Sequence, residues 1–539
     1  MNVQTVLNKL LDIRLINRIW DQDYFLWSDK PDEIVDRLGW LHCIHAFENL
    51  QESLRNLREY VIENKIADVI LIGMGGSSRT AEVLRDILKP NISGPRLTVL
   101  DTTVPSWINS VVENVNLTST LVIVASKSGE TLETILSYRY FRSIISSDVG
   151  ESNAGAHFIA ITDKDSPLEI LAREEHFLDT FITPNNVGGR FSSFTYYGLL
   201  PVFLIGIDVK RLIQSGEKII KMHQDLKEGS INHAGVFGYL IGENANLRID
   251  KLTIILSESL YPFGSWIEQL LAESTGKNHK GVIPIIEKEF VNSKMYSDDR
   301  MFYVLRLKSD PEITGSEFIE ELKSEGRTVI EHFIDDIYDI GGEIFRWQFA
   351  VAVIGSVMNI NPFNEPDVQL SKNRAERNLI AEDHWDPKQG NLSTLELFES
   401  IKNNDYVALT AYMQPSKELE YIIDQFRYGI KEKFKLPSSF GYGPRILHST
   451  GQLHKAGPDN VISIIIIPSN FENNDLKVVG EEYTFAEVAR SQAYADAEVL
   501  WERGRRVSII EVPGESEEIL LELQDILRSI LMIKEESSK

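Results

Sequence analysis

The residues Ser126-Lys127-Ser128-Gly129-Glu130-Thr131 combine three hydroxyls, an ammonium group and a glycine directly after an apolar run. At the junction of a strand and a helix the first helical N–H groups lack partners and the helix dipole is positive, so hydroxyls placed there hold a phosphate together with the backbone. Taken alone, the segment reads equally as ordinary helix capping. A second loop of the same kind, Gly73-Met74-Gly75-Gly76-Ser77-Ser78, follows another apolar run, and its glycines allow a ligand to approach the backbone closely. It lacks the third glycine of a dinucleotide fingerprint, and Asp101 is the nearest candidate for a ribose acid. Further along, Gly188-Gly189-Arg190 presents an arginine from a turn. Glu273 ends an apolar helical run just before Gly276, where the dipole disfavours a carboxylate. A glutamate pushed to higher pKa in this way suits general-base chemistry near neutral pH. Lys372 follows the turn Asn361-Pro362-Phe363-Asn364, and His448 and His454 stand six residues apart. No well-placed carboxylate or cysteine completes a metal set around the two histidines, so proton transfer is the expected histidine chemistry. Each residue also has a plain reading: a surface arginine, a glutamate by a loop, a solvated lysine.

The elements that must position these side chains alternate regularly. Strand patterns at 69–72, 97–100, 121–124, 157–161, 252–256, 302–305, 328–330, 407–412, 461–467 and 507–512 are separated by helical periodicities, including one that ends in the run 266–277 and others at 344–358, 419–426 and 485–503. Alternation of this kind predicts doubly wound parallel sheets, with both hydroxyl-rich loops at the carboxyl ends of strands on one edge. The residues before 67 read as helices, 382–391 as a polar linker and 440–445 as a glycine-rich connection.

A length of 539 residues and 43% hydrophobic content suit three or four structural units with substantial cores. The formal net charge of −25 argues against nucleic acid or an anionic membrane as partner and requires positive charge to be concentrated locally, with Lys127, Arg190, Lys277 and Lys372 as candidates. The single cysteine, Cys43, excludes an internal disulfide framework. No apolar run reaches the ~20 residues of a membrane span and the N-terminus lacks a signal-peptide pattern, so a cytoplasmic location is expected.

In this order, Gly-Met-Gly-Gly-Ser-Ser, Ser-Lys-Ser-Gly-Glu-Thr, Gly-Gly-Arg-Phe-Ser, Ala-Glu-Ser-Thr-Gly-Lys and Ile-Asn-Pro-Phe resemble phosphoglucose isomerase, most closely the isomerase portion of bacterial transaldolase/phosphoglucose isomerase fusion proteins. The ~65 residues ahead of the first strand are too few for the ~250-residue barrel of a transaldolase, so none is expected before it. The resemblance implies an α/β fold of two sugar-isomerase (SIS) domains, flavodoxin-like, at 67–215 and 216–400, preceded by a helical segment 1–66 and followed by a C-terminal α/β segment 401–539. It implies interconversion of glucose 6-phosphate and fructose 6-phosphate through a cis-enediol, without metal or organic cofactor. Carried over by motif, Gly76, Ser77, Ser126, Ser128 and Thr131 hold the phosphate or adjacent sugar, Lys127 adds positive potential and Gln269 lines the pocket. Glu273 moves the proton between C2 and C1, Arg190 stabilises the enediolate, and Lys372 with a histidine opens the ring. The family's histidine lies between the glutamate and the lysine in chain order, yet only His279 and His332 occur there, in other contexts. His454, with His448 second, is therefore the expected replacement. In the family this histidine comes from the neighbouring subunit, which implies a homodimer. A sugar-phosphate-binding regulator on the same fold, and an isomerase that also takes mannose 6-phosphate through space near Ser274 and Thr275, are the alternatives.

Overall fold

The computed structural model describes residues 9–10, 14–90, 94–224, 231–288, 290, 292–311, 316–380, 391–471 and 475–532. The linker expected at 382–391 lies, except for Asn391, outside the described residues. Among them, thirteen strands form three separate sheets, each parallel throughout. The first contains β1 (Asp68–Gly73), β2 (Arg96–Leu100), β3 (Thr120–Ala125), β4 (Phe158–Thr162) and β5 (Asp179–Ile182), in the spatial order β2-β1-β3-β4-β5. The second holds β6 (Lys251–Leu256), β7 (Ile283–Glu287), β8 (Arg300–Leu307) and β9 (Val329–Ile334), ordered β7-β6-β8-β9. The third repeats that order as β11-β10-β12-β13, from β10 (Tyr406–Ala411), β11 (Ser438–Tyr442), β12 (Val461–Pro468) and β13 (Arg506–Val512).

Strands β1 and β3 are buried along their whole length, which their unbroken apolar runs require, since helices cover both faces of a parallel sheet. In each sheet the chain reverses direction of winding beside its first strand. In the first sheet that crevice opens between β1 and β3, where an open α/β sheet binds its ligand. The loop after β1 leads into α1 (Arg79–Leu88) and the loop after β3 into α2 (Leu132–Val149). In the second sheet, α3 (Phe263–Thr275) follows β6, and α4 (Ile340–Met358) follows β9.

One apolar core, which includes Leu71, Ile123, Leu252, Ile254 and Trp347, joins the first two sheets. Helix α4 lies in it and is buried on almost every side, as its all-round apolar sequence demands. Strand β12 sends Ile462, Ile464 and Ile466 to one core, and Ile465 and Ile467 to the opposite one beside Ala489, Ala493 and Ala497. Its residues divide with a period of two between covering layers. Trp107 packs against the cores of both the first and third sheets. Helix α5 (Pro366–Ile380) leads from the second sheet toward the third, in which α6 (Gly451–Ala456) precedes β12 and α7 (Phe485–Glu502) precedes β13. Among the described residues no helix is long and apolar enough to cross a membrane.

The sequence reading did not identify β5, β7 or β11, and the supposed glycine-rich connection begins with β11. All three are edge strands.

Candidate active site

Both hydroxyl-rich loops meet at the crevice of the first sheet. Thr131 precedes α2 as its N-cap, but its hydroxyl makes no capping bond and instead lies 2.9 Å from Ser126 Oγ. Ser126 Oγ accepts the Gly129 N–H at 3.1 Å, and Ser128 Oγ accepts from the Glu130 N–H at 3.3 Å. The hydroxyls thus brace one another at the helix entrance instead of satisfying α2. Gly129 has φ +75°, and a Cβ there would stand 2.6 Å from Leu168 N, so the corner needs glycine. Lys127 is ion-paired with Asp163 and donates to the Asn185 carbonyl at 2.9 Å; its charge is already partnered within the fold.

The loop after β1 faces a different wall. A Cβ on Gly76 would lie 2.1 Å from the Gly189 carbonyl oxygen, and Ser192 Oγ donates to the carbonyls of Gly76 and Gly189 at 3.3 and 2.6 Å. The glycine loops therefore touch, and the contact places Arg190. This arginine is 4% exposed and fully engaged: Nε donates to Ser274 Oγ at 2.7 Å, and its remaining nitrogens donate to Glu365 at 2.8 Å and the carbonyls of Pro362 and Asn364 at 2.6 and 3.0 Å.

Glu273, 8% exposed, completes this cluster from the last turn of α3. Its Oε1 lies 3.4 Å from Arg190, and its Oε2 accepts from Gln269 Nε2 at 3.3 Å. Burial raises its pKa, Arg190 opposes that, and the nearby Glu365 charge adds to it; the carboxyl is pushed up to about 7. Glu365 moves the opposite way, because Arg190 outweighs the cost of its burial. Lys277 is buried and its pKa is driven down by burial and by Arg190, while its ammonium donates to the carbonyls of Ser274 and Asn361 at 2.9 and 2.7 Å. Thr275 is equally committed: its hydroxyl donates to Leu271 O at 2.8 Å and accepts from Val282 N–H at 2.9 Å.

The third sheet brings His448 to the crevice. Gln269 Nε2 donates to the His448 carbonyl at 3.0 Å, so Gln269 touches both Glu273 and the histidine's backbone. His448 Nε2 lies 2.9 Å from Glu133 Oε1, on the first turn of α2 just beyond Thr131. Burial works against the Glu133 charge, but His448 and then Lys372 outweigh it and hold the carboxyl down at about 2. An ionised carboxylate only accepts, so the His448 Nε2–H donates. Lys372, half-buried on α5, stands within electrostatic reach of Glu133. His454 does not join them. Further along, on α6, it is buried with its ring 6.1 Å from that of Tyr406, and burial, Lys455 and Arg505 push its pKa down to about 3. It lines a separate cavity of about 210 Å³ with Glu268 and Arg427. The irregular turn at 445–448, and not the helix after it, abuts the crevice, so the structure brings His448 to Glu133 and does not bring His454 there.

Glu133 and Glu365 were missed in the sequence. Glu133 looks like any acid in a first helical turn, and Glu365 follows a turn in which Pro362 and Phe363 are the more distinctive residues. Asp101 pairs with Arg445 at 2.7 Å, which commits the candidate ribose acid to the fold. A cavity of about 1030 Å³ lined by Tyr296, Arg300 and Arg327 contains none of the candidate site residues.

Residues 46–292 match the family model described as phosphoglucose isomerase, a span that includes the two hydroxyl loops, Arg190, Gln269 and Glu273. The glucose-6-phosphate isomerase of Methanocaldococcus jannaschii is 25% identical over 393 residues, 64% of this chain and 95% of that protein. The glucose-6-phosphate isomerase of Streptococcus agalactiae is 26% identical over 396 residues, 64% and 86% of the respective chains. A solved structure of a hypothetical protein from Thermus thermophilus superposes with a TM-score of 0.60 at 24% identity, over 70% of this chain and 97% of that one. A glucose-6-phosphate isomerase structure from Chlamydia trachomatis gives 0.58 at 17% identity, over 72% and 87%. These superpositions show a shared fold.

Proposed function

From a chain that carries phosphoglucose isomerase sequence over residues 46–292, we propose an aldose-ketose isomerase that interconverts glucose 6-phosphate and fructose 6-phosphate. The observation that carries this reading is the buried Glu273 carboxyl, raised to about 7, beside Arg190 and across the crevice from an anion corner. A sugar-phosphate-binding regulator needs the corner but no such base. Ser126, Ser128, Thr131 and the Gly76-Ser77 loop hold the phosphate. Lys127 supports the corner through Asp163, and Gln269 joins the base to the histidine.

Glu273 removes the C2 proton of the aldose, or the C1 proton of the ketose, and returns it to the other carbon of a cis-enediol. Arg190 is already fixed by its carbonyl and carboxylate partners, so it meets the charge developing on the enediolate oxygen without reorganising, the arrangement that contributes most in a dry site. Ring opening is a separate acid/base step. The Glu133–His448 pair performs it, with Lys372 nearby, since deprotonating a carbon acid and moving a proton on the ring oxygen need groups of different pKa. No cofactor takes part. Thr275 is tied to its own helix and Val282 through both its donor and an acceptor, so its hydroxyl does not serve to recognise a C2 epimer, while Ser274 accepts from Arg190.

The test is incubation with fructose 6-phosphate in deuterated water. Glucose 6-phosphate labelled at C2 is the expected product; sugar-phosphate binding without turnover would leave the regulator. Glu273→Gln should keep affinity within about tenfold and lose at least ~100-fold in kcat, the scale of a general base. Undiminished turnover in that variant would remove Glu273 from the mechanism.

A further inference from the structure

The Glu133 carboxylate accepts a second bond on the same oxygen that faces His448. Gln492 Nε2, from the middle of α7, donates to Glu133 Oε1 at 2.8 Å. The Gln492 amide is in turn oriented, because Thr103 Oγ1, on the loop after β2, donates to its Oε1 at 2.6 Å. An amide can turn over and swap donor for acceptor; a hydroxyl that donates to Oε1 directs Nε2 at the carboxylate. All four members are buried: Thr103 at 0%, Gln492 at 2%, Glu133 at 4% and His448 at 8% exposure. Polar side chains so thoroughly removed from water are costly unless every partner is in place, and chains of such bonds strengthen one another. The four residues come from four separate stretches of chain, so no local structure accounts for their alignment. The titratable groups facing Glu133 are His448 and Lys372, and the buried Tyr412 hydroxyl lies within electrostatic reach of both Glu133 and Asp496.

We infer that Gln492 is a positioning residue for ring opening: its amide, oriented by Thr103, fixes the Glu133 carboxylate against which His448 is held in the crevice. Gln492 acts through Glu133 and touches no reacting atom. The inference rests on the isomerase reading and places a determinant of its ring-opening step on the third sheet's helix, far outside the residues that match the isomerase family.

The test compares Gln492→Leu, Gln492→Glu and Thr103→Val with wild type on two substrates, fructose 6-phosphate and its analogue without the C5 hydroxyl, which cannot close a ring. Gln492→Leu should lower kcat on the ring-forming substrate by about tenfold or more with KM within about twofold, and leave the open-chain analogue within about twofold of wild type. Thr103→Val should show a smaller loss of the same pattern. Gln492→Glu restores the bond only when its new carboxyl is protonated and can donate, so its activity relative to wild type on the ring-forming substrate should climb as pH falls. If Gln492→Leu does not fold, the other two variants carry the test. Equal losses on both substrates, no loss on either, or a Gln492→Glu ratio that does not change with pH would overturn the inference. A wild type without turnover overturns the isomerase reading and this inference with it; an active wild type with unaffected variants overturns the inference alone.

Discussion

Arg190 serves two carboxylates, and the consequence lies in how they titrate. Glu365, at 2.8 Å, takes the closer share and stays ionised, while Glu273, at 3.4 Å, is left with burial and a like charge, both of which favour its protonated form. A base must be ionised to work, so kcat/KM should rise with pH through about 7. Glu365→Gln removes the like charge and frees Arg190 for Glu273. The Glu273 pKa then falls, and the acid limb of the pH–rate profile should move to lower pH by about one unit. A limb that stays in place would show that Glu365 only anchors the arginine. The two histidines divide in the same manner. His448→Ala should cost ~100-fold on ring-closed substrate and far less on the open-chain analogue. His454→Ala should leave kcat of the folded enzyme unchanged and lower stability by about 1–3 kcal/mol, the scale of a cavity among buried groups. Glu273 was legible in the sequence as a candidate base because a carboxylate closing an apolar helix is anomalous. The choice between His448 and His454 was not, since it depends on Glu133, 315 residues away in sequence.

At the scale of elements, sequence periodicity reveals every strand inside a sheet and three of the six edge strands among the described residues, β2, β9 and β13. Strands β1 and β3 announce themselves as unbroken apolar runs, and β12 as one interrupted only by Ser463. The other three edge strands do not: β5 is mostly half-exposed, β7 carries Pro284, and β11 is Ser-Ser-Phe-Gly-Tyr. An edge needs fewer ladder bonds and tolerates proline, so its sequence has little reason to look like a strand. The loops that carry chemistry were legible because their glycines and hydroxyls are poor choices for anything but close backbone approach. Gly76 shows the reason. With the Gly189 carbonyl 2.1 Å from where a Cβ would stand, Gly76→Ala must push the two loops apart. Overpacking of this kind costs about 1–3 kcal/mol, and because the displaced loop holds Arg190, the loss of turnover should exceed the loss of sugar-phosphate affinity. An alanine variant that retains full activity would show that the contact between loops is incidental.

Across the whole molecule, the third sheet is fastened to the other two at each point where it meets the site. Arg445 pairs with Glu82 and Asp101 at 2.9 and 2.7 Å, and Gln452 donates to Gly276 O at 2.9 Å and to Asp367 at 3.1 Å. Arg377 reaches Glu498 at 2.9 Å. The composition and alternation of the sequence disclosed an α/β segment there but not its role, because these clamps join residues 85 to 363 positions apart. Since His448 and Glu273 come from one chain, mixing Glu273→Gln with His448→Ala protein under conditions that allow subunits to exchange should regenerate no activity. Recovery toward a quarter of the wild-type rate, the statistical yield of a site shared between two copies, would show that the histidine crosses between chains. The Gln269 bond to the His448 carbonyl carries this point into the time domain. A catalytic centre whose last member is tethered to its first closes by an intramolecular encounter, at an effective concentration set by the chain and not by the solution. After dilution from denaturant, activity should therefore return with first-order kinetics whose rate constant is the same at high and low protein concentration.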